Sequence, residues 1–297
     1  MTKGVSILAI GSSAYGAWAV NFAVSVKYHA PDICIQLICD DANLVATSPY
    51  HHLFSEVTKI AYEDCMNDEG KLFPAKAKTS LYKYFAYDLT AYFDVDAVVI
   101  KDLTPLFDLP GNLYTDIQAV HNIASGNNFQ QLKWAKPDVI WSHFGLNESH
   151  NLPAINSSFW LIRKSEQSET MFNMAKELLL TNPMPTDKYW HKWGRGKGHD
   201  ADELYFNVAC AKMQMVPEHL CAVYFRTILE AGMAVRLDDI VSGHYAIGLF
   251  GDVRSLHISV KEYYNRLMYG YWKKIIGTAF YQKCELLLRN KIVTVRT

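Results

Sequence analysis

Hydrophobic residues in this chain come in short unbroken runs that alternate with stretches at helical spacing. Val5-Ser6-Ile7-Leu8-Ala9-Ile10-Gly11 reads as a buried strand ended by the turn Gly11-Ser12-Ser13. Over residues 15–29, Trp18, Phe22 and Val26 recur at helical spacing, and Pro31-Asp32 breaks the pattern. Ile33-Cys34-Ile35-Gln36-Leu37-Ile38-Cys39 is a second buried strand, closed by Asp40-Asp41. Apolar strands joined through a helix predict a parallel sheet covered by helices. Residues 80–88 read as a helix. Residues 89–93 form a third strong strand, stopped by Asp94-Val95-Asp96. Val98-Val99-Ile100 continues extended before Leu103-Thr104-Pro105.

The pattern then changes. Residues 122–151 are rich in Asn, Gly, Ser, His and Trp and lack a clear period. They read as an irregular insertion or long loop, a kind of segment that is usually functional in a compact domain. Residues 155–163 are strand-like, and residues 166–180 form a helix whose start is marked by Ser165-x-x-Ser168. Pro183-Met184-Pro185 stops it. Residues 189–199 make a basic, aromatic, glycine-punctuated loop. Asp200 or Asp202 caps the next helix, which runs to about Met213.

Half of the 297 residues are hydrophobic, enough for a large core in one big α/β domain or in two domains. Charge is balanced, with 29 Lys+Arg against 30 Asp+Glu. That excludes a uniformly basic nucleic-acid binder and an acidic disordered chain. The balance joins two unlike parts. Residues 253–297 hold nine basic residues and two acids, a net +7, so the rest of a chain whose total is −1 carries −8. In that tail Tyr264, Leu267, Met268, Tyr271 and Ile275 fall on one helical stripe, flanked by Lys261, Arg266, Lys273 and Lys274. Such a segment can lie on an anionic membrane, grip nucleic-acid phosphates, or dock as a C-terminal helix with a solvated basic face. The six cysteines contain no C-x-x-C pair and read as buried, reduced thiols. With no long apolar run and no signal peptide, the expected setting is cytoplasmic, or peripheral at the inner face of a membrane through the tail.

Asp94-Val95-Asp96 carries the chemistry. Ligands of open α/β sheets bind beyond the carboxyl ends of strands. Two carboxylates one residue apart at such an end can aim at one point, and hard oxygen ligands suit Mg²⁺ or Mn²⁺ bridging a diphosphate. An isolated D-x-D is also a common pair of solvated turn acids; here a buried strand precedes it and an apolar strand follows.

At this point the chain resembles the GT-A-fold glycosyltransferases, closest to the retaining glycosyltransferase family eight. The resemblance starts with Lys78-Thr79-Ser80-Leu81-Tyr82 and the run from Phe85 through Asp94-Val95-Asp96 to Leu106-Phe107-Asp108. Asn156-Ser157-Ser158-Phe159 is similar to the family's Asn-x-Gly strand, with Ser158 in the glycine's place. Asp202-Glu203-x-x-x-Asn207 is similar to its Asp-Gln-x-x-x-Asn helix start, with Glu203 where an amide is common. His244-Tyr245-x-x-Gly248 is similar to its late metal-binding turn, with the glycine one residue further on.

The resemblance implies a mostly parallel GT-A (Rossmann-like) central sheet flanked by helices, an irregular acceptor-side region and a helical tail. It implies a nucleotide-sugar half at residues 1–110, an acceptor half at 111–250 and the tail at 251–297. Asp94, Asp96 and His244 are its implied ligands for Mn²⁺ or Mg²⁺. Gly11, Ser12, Tyr15, Lys78, Asp94 and Gly248 would hold a nucleoside-diphosphate sugar. Asp202, Glu203 and Asn156 would face the sugar as catalytic residues, and residues 190–199 would cover the donor or touch the acceptor. The implied reaction is hexosyl or pentosyl transfer, with retention, to a hydroxyl on a glycan, glycolipid or modified DNA base. Each residue also has a plainer reading, as a turn, cap or solvated charge. Two other classes compete. A nucleotidyltransferase would want a basic residue in the first loop, where Gly11-Ser12-Ser13-Ala14-Tyr15 has none. A non-enzymatic carbohydrate-binding or membrane-docking protein would ignore Mn²⁺.

Overall fold

The computed structural model describes residues 1–109, 115–121, 137–153, 155–184, 202–219, 226–227, 242–244, 270–271 and 273–274. The first elements are β1 (Lys3–Ala9), α1 (Ser13–His29), β2 (Cys34–Cys39), α2 (Asp41–Thr47) and β3 (Glu56–Lys59). Then come α3 (Tyr62–Cys65), α4 (Pro74–Thr79), β4 (Leu89–Asp94), β5 (Ala97–Val99), β6 (Ile117–His121) and α5 (Pro137–Phe144). The order continues with β7 (Ile155–Arg163), α6 (Glu166–Thr181), α7 (Asp202–Lys212), β8 (Glu218–His219), β9 (Arg226–Thr227) and β10 (Ser242–His244).

Strand order in the larger sheet is β3-β2-β1-β4-β7-β6-β8, and a smaller sheet runs β5-β10-β9. β1 with β2, β2 with β3 and β6 with β8 are parallel; β6 with β7 is antiparallel. The expected α/β class with a mostly parallel sheet is therefore what the chain forms. It divides into two compact units, one of Lys3–Lys59, Tyr92–Leu109 and Cys221–Thr297, the other of Met1–Thr2, Ile60–Ala91 and Pro110–Leu220.

In the first unit, Val5, Ile7, Ile35 and Leu37 are fully buried. Phe22 of α1 packs on Phe93 of β4 with ring centroids 5.2 Å apart. Ser6, Gln36 and Ile38, on the intervening positions, are fully buried too, so both faces of β1 and β2 are covered and the strands are mostly apolar. In the second unit, Trp160 of β7 and Phe172 of α6 both meet Phe206 of α7, at 4.8 and 5.0 Å, in the edge-on geometry aromatic rings prefer. Local caps set the helix starts. The side chains of Ser12, Asp40 and Ser165 accept from the amides of Ala14, Asn43 and Ser168 at the starts of α1, α2 and α6.

Three expectations change. The α-helix expected at 80–88 does not form: α4 ends at Thr79, and a single 3₁₀ turn follows at Leu81–Tyr84. Thr79 and Ser80 turn their hydroxyls back onto the carbonyls of Ala75 and Lys76. Tyr82 is tied to Ser165 and Tyr84 to Asp64, and these contacts pull the chain out of a continuous helix. Within the irregular stretch at 122–151, residues 137–144 form α5, started by Pro137 and followed by Gly145 in the left-handed region (φ 66°). Residues 122–136 lie outside the described residues. Finally, Cys34 is exposed at the start of β2, while Cys39, Cys65 and Cys210 are buried; all four are free thiols. Burial, helped by the charges of Asp40 and Asp41, pushes the Cys39 thiol up to about 12. Among the described residues no helix is long and apolar enough to cross a membrane.

Candidate active site

In the first unit, β1 and β4 end in the loops that hold the expected donor residues. After β1, Gly11 takes a left-handed conformation (φ 87°) that favours glycine. Its amide donates to Asp40 Oδ2 at 2.5 Å, and the Ser12 hydroxyl caps α1. Those two residues thus have structural partners. Tyr15 is partly exposed and meets Trp18 edge-on at 5.1 Å.

After β4, Asp94 is the last strand residue, Val95 is buried at 5% exposure, and Asp96 lies in the turn before β5. Both carboxylate residues are partly exposed, on either side of an inward-facing valine. The buried Tyr92, two residues earlier in β4, donates its hydroxyl to Asp94 Oδ1 at 3.0 Å. It orients one of the two acids and had no signal in the sequence beyond its place in an apolar run. β10 then pairs antiparallel with β5, with His244 opposite Ala97, Gly243 opposite Val98 and Ser242 opposite Val99. The backbone of His244 therefore stands across from the residue that follows Asp96. Two carboxylates and an imidazole are a donor set of the kind Mn²⁺ or Mg²⁺ accepts, so the residues fit the metal the resemblance implies. Among the described side chains no group of three or more His, Cys, Asp or Glu is assembled for a metal; His244 is described by its backbone.

The second unit gathers the expected sugar-facing residues. Lys78 of α4 reaches Asp202 Oδ2 at 3.3 Å and Ser157 Oγ at 3.4 Å. That Asp202 oxygen is buried and has no well-directed hydrogen bond, so the contact with Lys78 is one of charge. The Ser157 amide donates to Glu203 Oε1 at 3.4 Å. Asn156, 7% exposed, turns its Oδ1 onto the Ser158 amide at 2.8 Å. Asp202 and Glu203 occupy the first turn of α7, where the helix dipole favours acids. Lys78, Asp202 and Glu203, from two separate elements, are thus joined through Ser157 of β7 into one polar cluster, and Asn156 precedes Ser157 in that strand. Gly248 and residues 190–199 lie outside the described residues.

Asn207 holds this cluster together from below. It is fully buried; its Oδ1 accepts from the Ile155 amide at 3.0 Å, and its Nδ2 donates to the carbonyls of Glu203 at 2.7 Å and Ile155 at 3.3 Å. It ties the start of β7 to the start of α7. Asn207→Ala would leave buried backbone groups unpaired, so a loss of about 2–4 kcal/mol is expected from urea unfolding. A loss below about 0.5 kcal/mol would show that the bracket is not needed.

No family model matches the chain, and no curated protein matches it by sequence. Solved structures match by fold. The galactosyltransferase LgtC, in complex with donor and acceptor sugar analogues, aligns with a TM-score of 0.55 at 16% identity, over 89% of this chain and 95% of that one. An active-site glutamine-to-glutamate mutant of LgtC aligns at 0.52 and 16% identity, over 82% and 87%. The bifunctional glycosyltransferase WbbM, without ligand, aligns at 0.55 and 14% identity, over 82% of this chain and 46% of its own. The sheet order, the helices on it and these neighbours together show that the chain has the GT-A glycosyltransferase fold.

Proposed function

We propose that the protein is a divalent-metal-dependent glycosyltransferase, similar to the retaining family eight, that moves a hexose or pentose from a nucleoside-diphosphate sugar to a hydroxyl acceptor. The observation that carries this reading is the β5–β10 register, which stands His244 across from the residue after Asp96. Asp94, Asp96 and His244 would hold the metal, which when bound supplies Lewis-acid neutralisation of the leaving diphosphate.

The remaining work falls to the chain's own groups. Gly11, Ser12, Tyr15 and Gly248 are read as donor contacts. Lys78, its side chain 13% exposed, offers an ammonium for a donor phosphate, which would draw it away from Asp202. Asp202 would then orient sugar hydroxyls through the buried oxygen that lacks a well-directed hydrogen bond. Glu203 and Asn156 would flank the sugar, the acid stabilising positive charge as it develops at the anomeric carbon. With retention, the acceptor hydroxyl attacks the face from which the diphosphate departs and passes its proton to the leaving phosphate, so the chain need not supply a strong nucleophile. The acceptor is a glycan, a glycolipid or a modified DNA base, and the +7 tail is read as a contact to an anionic membrane or to DNA.

The test is a thermal-shift panel of nucleotide sugars with Mn²⁺. Saturation to about 100 times Kd adds about 2.7 kcal/mol of stability, enough to raise Tm by several degrees. One donor should stand out and be slowly hydrolysed. No shift and no hydrolysis with any donor would overturn the reading in favour of a non-catalytic protein.

A further inference from the structure

β5 is only three residues long and pairs with β10 over three positions. Val98 lies opposite Gly243, and Val99 lies opposite Ser242. The outer backbone groups of Val99 have partners elsewhere. Its amide donates to Ser25 Oγ of α1 at 3.0 Å, and its carbonyl accepts from the Tyr271 hydroxyl at 3.2 Å. With both groups engaged there, the Val99–Ser242 pair is of the kind that exchanges no ladder bonds. By alternation the Ala97–His244 pair is too, the arrangement in which facing Cα atoms come closest.

Tyr271 belongs to the tail, yet it is only 7% exposed. Its ring stacks on Tyr28 with centroids 4.8 Å apart, and its hydroxyl lies 2.9 Å from His29 Nε2. Since its one hydroxyl hydrogen goes to Val99, the His29 ring must donate. Lys274, one helical turn onward, donates to the Tyr28 hydroxyl at 2.7 Å and lies 5.2 Å from its ring. The face of the tail that bears Tyr271 is thereby used against α1 and β5.

We propose that Tyr271 is a positioning residue for the candidate metal site: by holding the Val99 carbonyl, it and Ser25 clamp β5, and so set where Asp96 and the β10 backbone at His244 stand. This rests on the metal reading of Asp94, Asp96 and His244. It gives the basic tail a part in donor binding, whatever surface its other face meets.

The experiment titrates Mn²⁺ alone into the full chain, following free Mn²⁺ by electron paramagnetic resonance, for the wild type, Tyr271→Phe and Asp96→Asn. Tyr271→Phe keeps the ring stack and loses only the hydroxyl contacts. It should weaken Mn²⁺ binding about three- to tenfold, with Tm little changed. In metal-free protein, the Val98 and Gly243 amides should exchange hydrogen about three- to tenfold faster, while those of β1 and β2 do not. If the wild type binds Mn²⁺ through Asp96 and Tyr271→Phe binds equally well, the proposal is overturned and the metal reading stands. Weaker binding with unchanged exchange at Val98 and Gly243 also overturns it, since the effect would not run through β5. A wild type with no Mn²⁺ binding beyond that of Asp96→Asn removes the metal reading and the proposal together.

Discussion

Asp96→Asn should reduce sugar transfer roughly a thousandfold or more while the fold survives. The substitution keeps the volume and the turn but replaces an anionic oxygen donor with a neutral amide, a much poorer ligand for a hard cation. A bound cation contributes several kcal/mol to the charge that builds on a departing diphosphate, and each 1.36 kcal/mol is about tenfold in rate. Asp96 lies partly exposed in the turn between β4 and β5, outside the packed core of its unit. Tm should therefore stay within about 2 °C of the wild type, as for most surface changes. The measurement is kcat/KM for transfer or hydrolysis of the best donor, with circular dichroism as the fold control. Wild-type activity in this variant would take Asp96 out of the metal set and leave the metal reading without its second carboxylate.

The second large effect is on stability. Asp64 of α3 is 2% exposed. Its Oδ1 accepts from Lys176 of α6 at 2.8 Å, and its Oδ2 accepts from the Tyr84 hydroxyl at 2.6 Å and pairs with Lys83. One carboxylate thus joins α3, the 3₁₀ turn and α6. Asp64→Asn would leave Lys176 and Tyr84 facing a neutral group that cannot answer all these donors. Breaking a buried pair costs about 3–5 kcal/mol; Lys83 is exposed and Lys176 partly so, which lowers the expected loss to about 2–3 kcal/mol at neutral pH.

The pH dependence has a definite sign. Burial raises the Asp64 pKa, but the hydrogen bonds from Lys176, Lys83 and Tyr84, with the charge of Lys176, outweigh it and hold the carboxyl well below its ordinary range. A depressed folded pKa gives stability that is fully present above the unfolded pKa of about 4 and is lost as pH falls toward the folded value. The stability gap between wild type and Asp64→Asn should be flat from about pH 5 to 8 and close below about pH 4. Urea midpoints across that range decide it: a gap that does not narrow in acid would mean that the carboxylate's charge contributes nothing.

Much of the fold was legible because its signals are local. β1, β2 and β4 are mostly apolar runs flanked by glycine, aspartate or polar turns, β7 carries the apolar stretch Phe159-Trp160-Leu161-Ile162, and α1 and α6 carry their own caps. α5 was not legible, since it lies within a polar stretch whose helix signals, Pro137 and Gly145, stand without a regular apolar stripe. The stretch after Lys78 was misread for the opposite reason. Leu81 and Phe85 have helical spacing, but Tyr82 and Tyr84 are bonded to Ser165 and Asp64, and tertiary contacts override weak local propensity. In the candidate site, Asp94 and Asp96 were legible from the strand before them, whereas Tyr92, Ser157 and Tyr271 were not. Their roles lie in what they touch, and their residue types are ordinary for a strand or a helix.

The sequence by itself determined the alternation of buried strands and helices and the place where a strand ends in two acids. It also determined a near-neutral chain made of an acidic body and a basic tail. Only the tertiary structure decided which distant residues meet: His244 across from Ala97, Lys78 with Asp202, Tyr271 on Val99. Hydrophobic spacing records which face of an element is buried, but not its partner. Strand register and the pairing of polar groups far apart in the chain are settled when those faces pack and each buried backbone group must find a hydrogen bond.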